Sequence, residues 1–326
     1  MKRRDIVRSL MSMVLLLAGI VPAIAQEPFP SKPLRVVVPV PAGGNLDLVT
    51  RAVCERLATG LGQPIIVENR SGASSSVGTR FVAKSAPDGY TLLAMANTFL
   101  STPAVMAGAG YDPVAEFTGV SELARIPNVL VVAAASPFSN VGELIAQAKA
   151  KSGELSYATA GAGSVGHMAA ERFSRQIGAQ FTHIPYKGNA PALVDVVGGR
   201  VAFMFDQIST SGPHLRAGKL RSLGVTTMSR STLFPELQTL DEAGVKGFED
   251  VTFNGLAAPA GTPPEVVGKL FDEVSKVLRA PELRNRFAGQ GIEVAPSPSP
   301  TQFSAFIRDE VARYAKLARE ANIKIE

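Results

Sequence analysis

The chain has 326 residues, room for one large domain or two of ordinary size, and 46% of them are apolar, so it can bury a core without disulfide staples. Its single cysteine excludes an internal disulfide, and 3 scattered histidines, with no Cys pair and no HExxH, offer no metal-ligand spacing. The formal charge of +5 is concentrated at the start, where Lys2, Arg3, Arg4 and Arg8 oppose only Asp5; without those residues it falls to +2, and with no basic face interleaved with aromatics a nucleic-acid partner is not expected.

Residues 1–25 read as a secretory leader: the basic start, an apolar stretch over residues 10–20, and Ala23-Ile24-Ala25 as a small-residue cleavage signal before Gln26. The stretch is too short for a typical spanning helix, and no later run of about 20 apolar residues follows. The mature protein is therefore expected to be soluble and exported, with cleavage after Ala25. Cys54 lies within a helical pattern, far from the processed terminus, which argues against a lipid anchor there.

Residues 34–40 form a continuous apolar, β-branched run, as a strand covered on both faces requires. Gly43 and Gly44 then permit backbone geometry closed to other residues. Asn45 or Asp47 can cap the following helix, whose apolar positions are Leu48, Val49, Ala52, Val53 and Leu57. Such a junction aims backbone N–H groups and a helix N-terminus at one point, which suits an anion. Further strand-like runs fall at residues 64–67, 90–94, 129–133, 155–159, 181–184, 201–205, 220–226 and 253–258. Helical patterns at residues 141–151, 165–177 and 190–197 separate several of them; two more, at 265–278 and 301–321, flank the proline-rich residues 296–300. This alternation marks βαβ units and predicts an α/β fold with a parallel sheet. Connectors near Arg125-Ile126-Pro127 and residues 247–252 suggest a second domain, residues 127–250, inserted into a first made of residues 26–126 and 251–326.

Gly161-Ala162-Gly163-Ser164-Val165-Gly166 matches the dinucleotide pattern GxGxxG and follows a plausible strand. The acid that would hold a ribose about 20 residues on is missing, because that region reads Phe181-Thr182-His183-Ile184-Pro185-Tyr186. A tight strand-to-helix turn is the favoured reading, and a smaller anion such as a carboxylate, held by exposed N–H groups and Ser164, is a further one. Ser164, His167 and Asp206 can be written as a hydrolytic triad, but there is no GxSxG elbow and a serine at a helix start is usually a cap. Asp47 and Asp206 lie beyond strand carboxyl ends, where α/β ligand sites gather; helix capping and turn formation weigh equally. Lys187 either neutralises an acidic ligand or is simply solvated. For His167, His183 and His214 the default is a structural hydrogen bond. No cofactor or metal is expected.

Several segments together carry a family resemblance. They are Pro41-Ala42-Gly43-Gly44 through Asp47 and Arg51, Gly62-Gln63-Pro64 with Val67-Glu68-Asn69-Arg70, and Ala86-Pro87-Asp88-Gly89-Tyr90-Thr91-Leu92. Thr159-Ala160-Gly161, Gly163-Ser164 with His167, and His183-Ile184-Pro185-Tyr186-Lys187-Gly188 continue the series. Pro213-His214-Leu215-Arg216-Ala217-Gly218 and Ala258-Pro259-Ala260-Gly261-Thr262-Pro263 complete it. In this order and spacing, over essentially the whole mature length, the chain resembles the Bug or TctC-type extracytoplasmic solute receptors of tripartite tricarboxylate transporters. The resemblance implies a two-domain periplasmic-binding-protein (Venus flytrap) fold with the ligand cleft between the domains. It also implies loops at Ala42, Gly43, Gly44, Asn45 and Asp47, at Asn97 and Thr98, at Ala160, Gly161, Gly163, Ser164 and His167, and around Asp206 lining that cleft. Three departures bear on the ligand: Val38-Pro39-Val40-Pro41 lacks the aromatic residue often found there, Ser71-Gly72-Ala73-Ser74-Ser75-Ser76 replaces a glycine-rich version, and Phe253 stands where tryptophan is common.

The expected function is that of a non-enzymatic, monomeric periplasmic receptor that captures a small organic acid and delivers it to integral-membrane permease subunits. The alternatives are a receptor that presents its ligand to a sensor protein and, less favoured, a hydrolase using Ser164, His167 and Asp206.

Overall fold

The computed structural model describes residues 29–231 and 234–324; the leader and its cleavage site lie outside the described residues. From Lys32 onward the chain forms one unit by its contacts. It opens with β1 (Leu34–Val38), α1 (Asn45–Leu61), β2 (Ile65–Asn69), α2 (Ser76–Ala83), β3 (Thr91–Ala96) and α3 (Asn97–Val105). The long strand β4 (Phe117–Ala133) follows, then α4 (Val141–Ala150), β5 (Ser156–Thr159), α5 (Val165–Ile177), β6 (Thr182–Pro185), α6 (Asn189–Val197), β7 (Phe203–Gln207), α7 (Ile208–Arg216) and β8 (Leu220–Val225). The last elements are β9 (Val251–Pro259), α8 (Pro264–Arg279), α9 (Pro281–Ala288), β10 (Glu293–Val294) and α10 (Pro300–Glu320).

The sheet runs β2-β1-β3-β9-β4-β7-β5-β6, with β8 and β10 also paired to β4. It is mixed rather than parallel. β1 is parallel to β2 and β3, and β5 to β6 and β7, as right-handed βαβ crossovers dictate; β9 and β4 join the two groups by antiparallel pairing. No break falls at Arg125-Ile126-Pro127, because β4 runs straight through it. What changes there is the partner. Up to Pro127 the strand lies beside β9, ending at Pro127 against Val251, and from Asn128 it pairs with β7 and β8. The strand bends at register shifts between Gly119 and Ser121 and between Glu122 and Ala124, as bulges allow.

Each half of the sheet carries its own core. In the first, α2, α3 and α10 press Val82, Phe99, Leu100, Phe303 and Ile307 onto Val37, Leu93, Met95 and Phe253. In the second, α4 and α5 bury Leu144, Phe173 and Ile177 against Phe203 and Phe205, while α6 covers the opposite face with Ala192, Leu193 and Val196 on Val131 and Met204. Full burial of such side chains contributes about 1.5–3 kcal/mol each. Leu48, expected on the apolar face of α1, is instead 43% exposed; the core face begins with Leu46 and Val49. Met168 of α5 packs into the core of the first half.

Candidate ligand-binding site

The turn after β1 is built by its own helix. Gly43 sits at φ +87°, Gly44 is the N-cap with no side-chain bond, and Asp47 at the third helical position reaches back to accept the Gly43 N–H at 2.9 Å. Neither Asn45 nor Asp47 is therefore the N-cap. The Asp47 carboxylate is 2% exposed and also accepts from Arg51 Nε at 3.0 Å and Asn69 Nδ2 at 2.9 Å. Burial alone would raise its pKa, but the bonds from Arg51, Gly43 and Asn69 outweigh burial and hold it below the usual carboxylate range. Asp47 thus organises the elbow. The N–H groups that open α1 have no intrahelical partner and lie on an exposed turn formed by Pro41, Ala42, Gly43 and Gly44.

The turn after β5 repeats the plan. Gly161 and Gly163 take φ +133° and +73°, Ser164 is the N-cap of α5, and its Oγ accepts the His167 backbone N–H at 3.4 Å. His167, again the third helical residue, reaches back so that Nδ1 accepts the Gly163 N–H at 2.9 Å. Gly166 needs no unusual φ; a Cβ there would stand 2.5 Å from the Phe205 carbonyl oxygen, so its role is close packing of α5 on β7. The whole GxGxxG pattern is accounted for by one tight turn and one close helix contact.

The imidazoles beneath this turn form a stack. His167 lies on His183 with centroids 4.0 Å apart, and His183 on Tyr157 at 4.9 Å. His183 Nε2 is 2.7 Å from Thr159 Oγ1, and the Gly161 N–H donates to that oxygen at 3.1 Å. Tyr157 OH donates to Glu171 Oε1 at 2.6 Å. Burial lowers both histidines from the ordinary 6.5 to about 4, and for His183 the neighbouring His167 adds to the effect. The unfolded chain therefore takes up these protons first, so this contribution is complete above pH 6.5 and is lost as pH falls toward 4. Thermal melts from pH 7.5 to 4.5 should show a falling midpoint over that window, smaller in His183→Gln; equal slopes in both proteins would contradict the assignment.

Asp206, at the end of β7, is 2% exposed and accepts Asn189 Nδ2 at 2.5 Å, Thr210 Oγ1 at 2.6 Å and Ser211 Oγ at 2.5 Å. Burial pushes its pKa up, against the lowering effect of those bonds. Ser164, His167 and Asp206 are thus each engaged elsewhere, and the contacts that define a Ser-His-Asp relay are not among those they make. Asn97 is also fully used, donating to the Val251 carbonyl and Tyr314 OH at 3.0 Å each and accepting the Phe253 N–H at 2.9 Å. Thr98 Oγ1 lies 3.3 Å from Ser75 Oγ. Lys187 is exposed on the loop after β6, Ala160 is half-buried, and no group of three metal-ligating side chains occurs among the described residues.

The two halves meet where Asn45 and Gly163, both singled out by the sequence, touch Gln207, Ser209 and Ser101, which it did not single out. Asn45 Nδ2 donates to Gln207 Oε1 and, at 2.9 Å, to Ser209 Oγ, while Ser101 Oγ donates to the Gly163 carbonyl at 3.4 Å. The polar run Gln207-Ile208-Ser209-Thr210-Ser211 after a strand was the available signal; Ser101 had none, lying in a helix without clear apolar periodicity. Before α2, Ala73, Ser74 and Ser75 are consecutive non-glycine residues at φ +45°, +50° and +75°. That conformation is costly for side-chain-bearing residues. It is held by Thr102 Oγ1 on the Ser74 carbonyl at 3.0 Å and Thr79 Oγ1 on the Ser75 carbonyl at 2.8 Å. Serines here adopt, with this support, a shape that glycine-rich segments take freely.

The description "tripartite tricarboxylate transporter family receptor" matches residues 49–323. The chain belongs to this receptor family. It is 35% identical to the protein BugT of Bordetella pertussis over 314 residues, 95% of each chain. Among solved structures it is similar to R. palustris Rpa4515 with adipate, at 36% identity and TM-score 0.80, covering 91% of this chain and 99% of that one. It is similar also to MatC of Rhodopseudomonas palustris with bound malate, at 33% identity and TM-score 0.77, covering 89% and 99%. Like these receptors, it has the two-domain periplasmic-binding-protein fold of the α/β class.

Proposed function

We propose that this receptor works in the periplasm, binds a small organic acid between the two halves of its sheet, and delivers it to integral-membrane permease subunits. The observation that carries the reading is the meeting of the β1–α1 elbow, through Asn45, with Gln207 and Ser209 after β7, beside the Ser101 contact to the β5–α5 turn. Each contact engages a glycine elbow at a helix N-terminus, that of α1 in one and that of α5 in the other, through hydroxyl, amide and carbonyl groups. Helix N-termini and oriented N–H groups hold carboxylates without an arginine clamp, directly or through water. Adipate and malate in two similar receptors point to the same ligand class. Residues 42–47, 98, 160–164 and the neighbourhood of 206 form the proposed lining. His167, Asn97 and Asp206 support it from behind, as the Asp47 carboxylate does within its own elbow, and the change of partner along β4 near Pro127, matched by Asp250 and Val251 on the return, is the proposed hinge.

A thermal-shift screen of mono-, di- and tricarboxylates against matched amides tests this. A bound acid at 100 times its dissociation constant is expected to add about 2.7 kcal/mol, which raises the melting midpoint by roughly 5 °C. Stabilisation by the neutral amides alone would reject the carboxylate reading.

A further inference from the structure

The two elbows share one device with different chemistry in it. In each, a glycine with positive φ precedes the N-cap, and the third helical residue reaches back to accept that glycine's N–H: Gly43 to Asp47 and Gly163 to His167, both at 2.9 Å. A carboxylate at a helix N-terminus remains an acceptor down to low pH and is favoured there by the helix dipole. An imidazole is an acceptor only while that nitrogen is unprotonated. Once protonated it has two donors and no acceptor, and its charge sits at the wrong end of the helix.

We propose, resting on the carboxylate-receptor reading, that His167 is a positioning residue for the ligand-facing turn: its bare Nδ1 holds the Gly163 N–H, and a proton on that nitrogen releases the turn and weakens binding. The turn it holds is the one whose Gly163 carbonyl accepts Ser101 Oγ from the other half of the sheet, so releasing it also loosens the contact across the cleft. The surroundings keep the imidazole neutral. It is stacked face to face on His183 of β6, at 9° between ring planes, and close imidazoles do not readily share two positive charges. Tyr157 of β5 packs near both rings, its centroid 4.9 Å from that of His183 and 6.3 Å from that of His167. Glu171, on the same helix, is the facing carboxylate, 3.9 Å from His167 Nε2, and its Oε1 is already the acceptor of the Tyr157 hydroxyl. His183 secures the same turn by a second path, through Thr159 Oγ1 to the Gly161 N–H. The lowered pKa of both rings, about 4, accords with this arrangement.

The discriminating variant is His167→Asn, whose Oδ1 can accept the Gly163 N–H but does not titrate. With adipate and malate as probes, calorimetry from pH 7.5 to 4.0 should show wild-type affinity falling about twofold more than that of His167→Asn, because half of the imidazoles carry the proton at a pKa of about 4, the ligand's own ionisation cancelling between the two proteins. At pH 7.5 the Asn variant should bind within about threefold of wild type, and His167→Leu, lacking an acceptor, should bind at least tenfold more weakly. Identical pH profiles for wild type and His167→Asn would overturn the proposal. A second readout needs no ligand: in ¹⁵N-labelled protein the Gly163 amide should shift with the same midpoint as the His167 imidazole, and His167 should be the Nε2–H tautomer at pH 7.5. An amide that ignores the imidazole titration, or an Nδ1–H tautomer, would overturn the proposal even where both probes fail to bind, a failure that would count against the ligand reading alone.

Discussion

Replacing Asp206 with alanine should lower the free energy of unfolding by about 2–4 kcal/mol, because buried Ser211 and half-buried Asn189 lose an acceptor at once, while Thr210 keeps the Gln207 carbonyl. The carboxylate gathers Asn189 from the start of α6 and Thr210 and Ser211 from α7, fastening both helices to the end of β7. Each orphaned donor costs about 1–3 kcal/mol, and water entering the vacated space recovers part of the sum. Asp206→Asn keeps one acceptor oxygen and should lose about half as much. Urea unfolding measures both. A loss under about 1 kcal/mol for the alanine variant would show that the cluster is not what anchors these helices.

Gly166→Val should be nearly as damaging, by about 3 kcal/mol, although valine is the better helix former. The first atom of any side chain there lies 2.5 Å from the Phe205 carbonyl oxygen, and backbone cannot step aside as a flexible side chain can. Overpacking of this kind costs about 1–3 kcal/mol, and the β-branch adds to it. The expected midpoint loss is roughly 6 °C, at about 2 °C per kcal/mol for a chain of this size. Gly268→Ala is the matched control. Gly268 lies within α8 with nothing within 4 Å of the added Cβ, so the substitution should gain up to about 1 kcal/mol of helix propensity. A Gly166→Val protein as stable as wild type would mean that α5 is not seated on β7 as described.

Local chemistry was legible where local rules decide structure. The apolar run of β1, the glycine elbow, Ser164 as a cap and the span of α5 all follow from periodicity and turn residues, and the structure has α5 at Val165–Ile177 with Ser164 capping it. The missing ribose acid likewise argued rightly for GxGxxG as a turn, and Gly166 supplies the packing reason. Other elements were hidden because their sequences obey distant partners. The first part of β4 contains Gly119, Ser121, Glu122 and Pro127, poor strand formers in isolation, yet Ser121 and Glu122 are buried because β9 and the Ser297 hydroxyl meet that segment's backbone. The sheet is mixed, not parallel, for the same reason: direction is set by which strands β4 and β9 reach, some 125 residues apart, and no short window of sequence contains that.

For function the division is similar. The amino-acid sequence by itself determined an α/β chain with a leader-like start, two glycine turns at helix N-termini, and segments whose order resembles one receptor family; these are matters of composition, spacing and short-range backbone chemistry. Only the tertiary structure decided what the marked polar residues do. Asp47 and His167 turn back to hold their own elbows, Asn97 ties the start of α3 to β9, Asp206 is enclosed by Asn189, Thr210 and Ser211, and Asn45, Ser101, Gln207 and Ser209 make polar contacts between the halves. A side chain's role depends on which of its possible partners lie within about 3 Å, and burial makes a polar group without one costly. Many of those partners come from elements far apart in the chain, so these roles are fixed by tertiary packing.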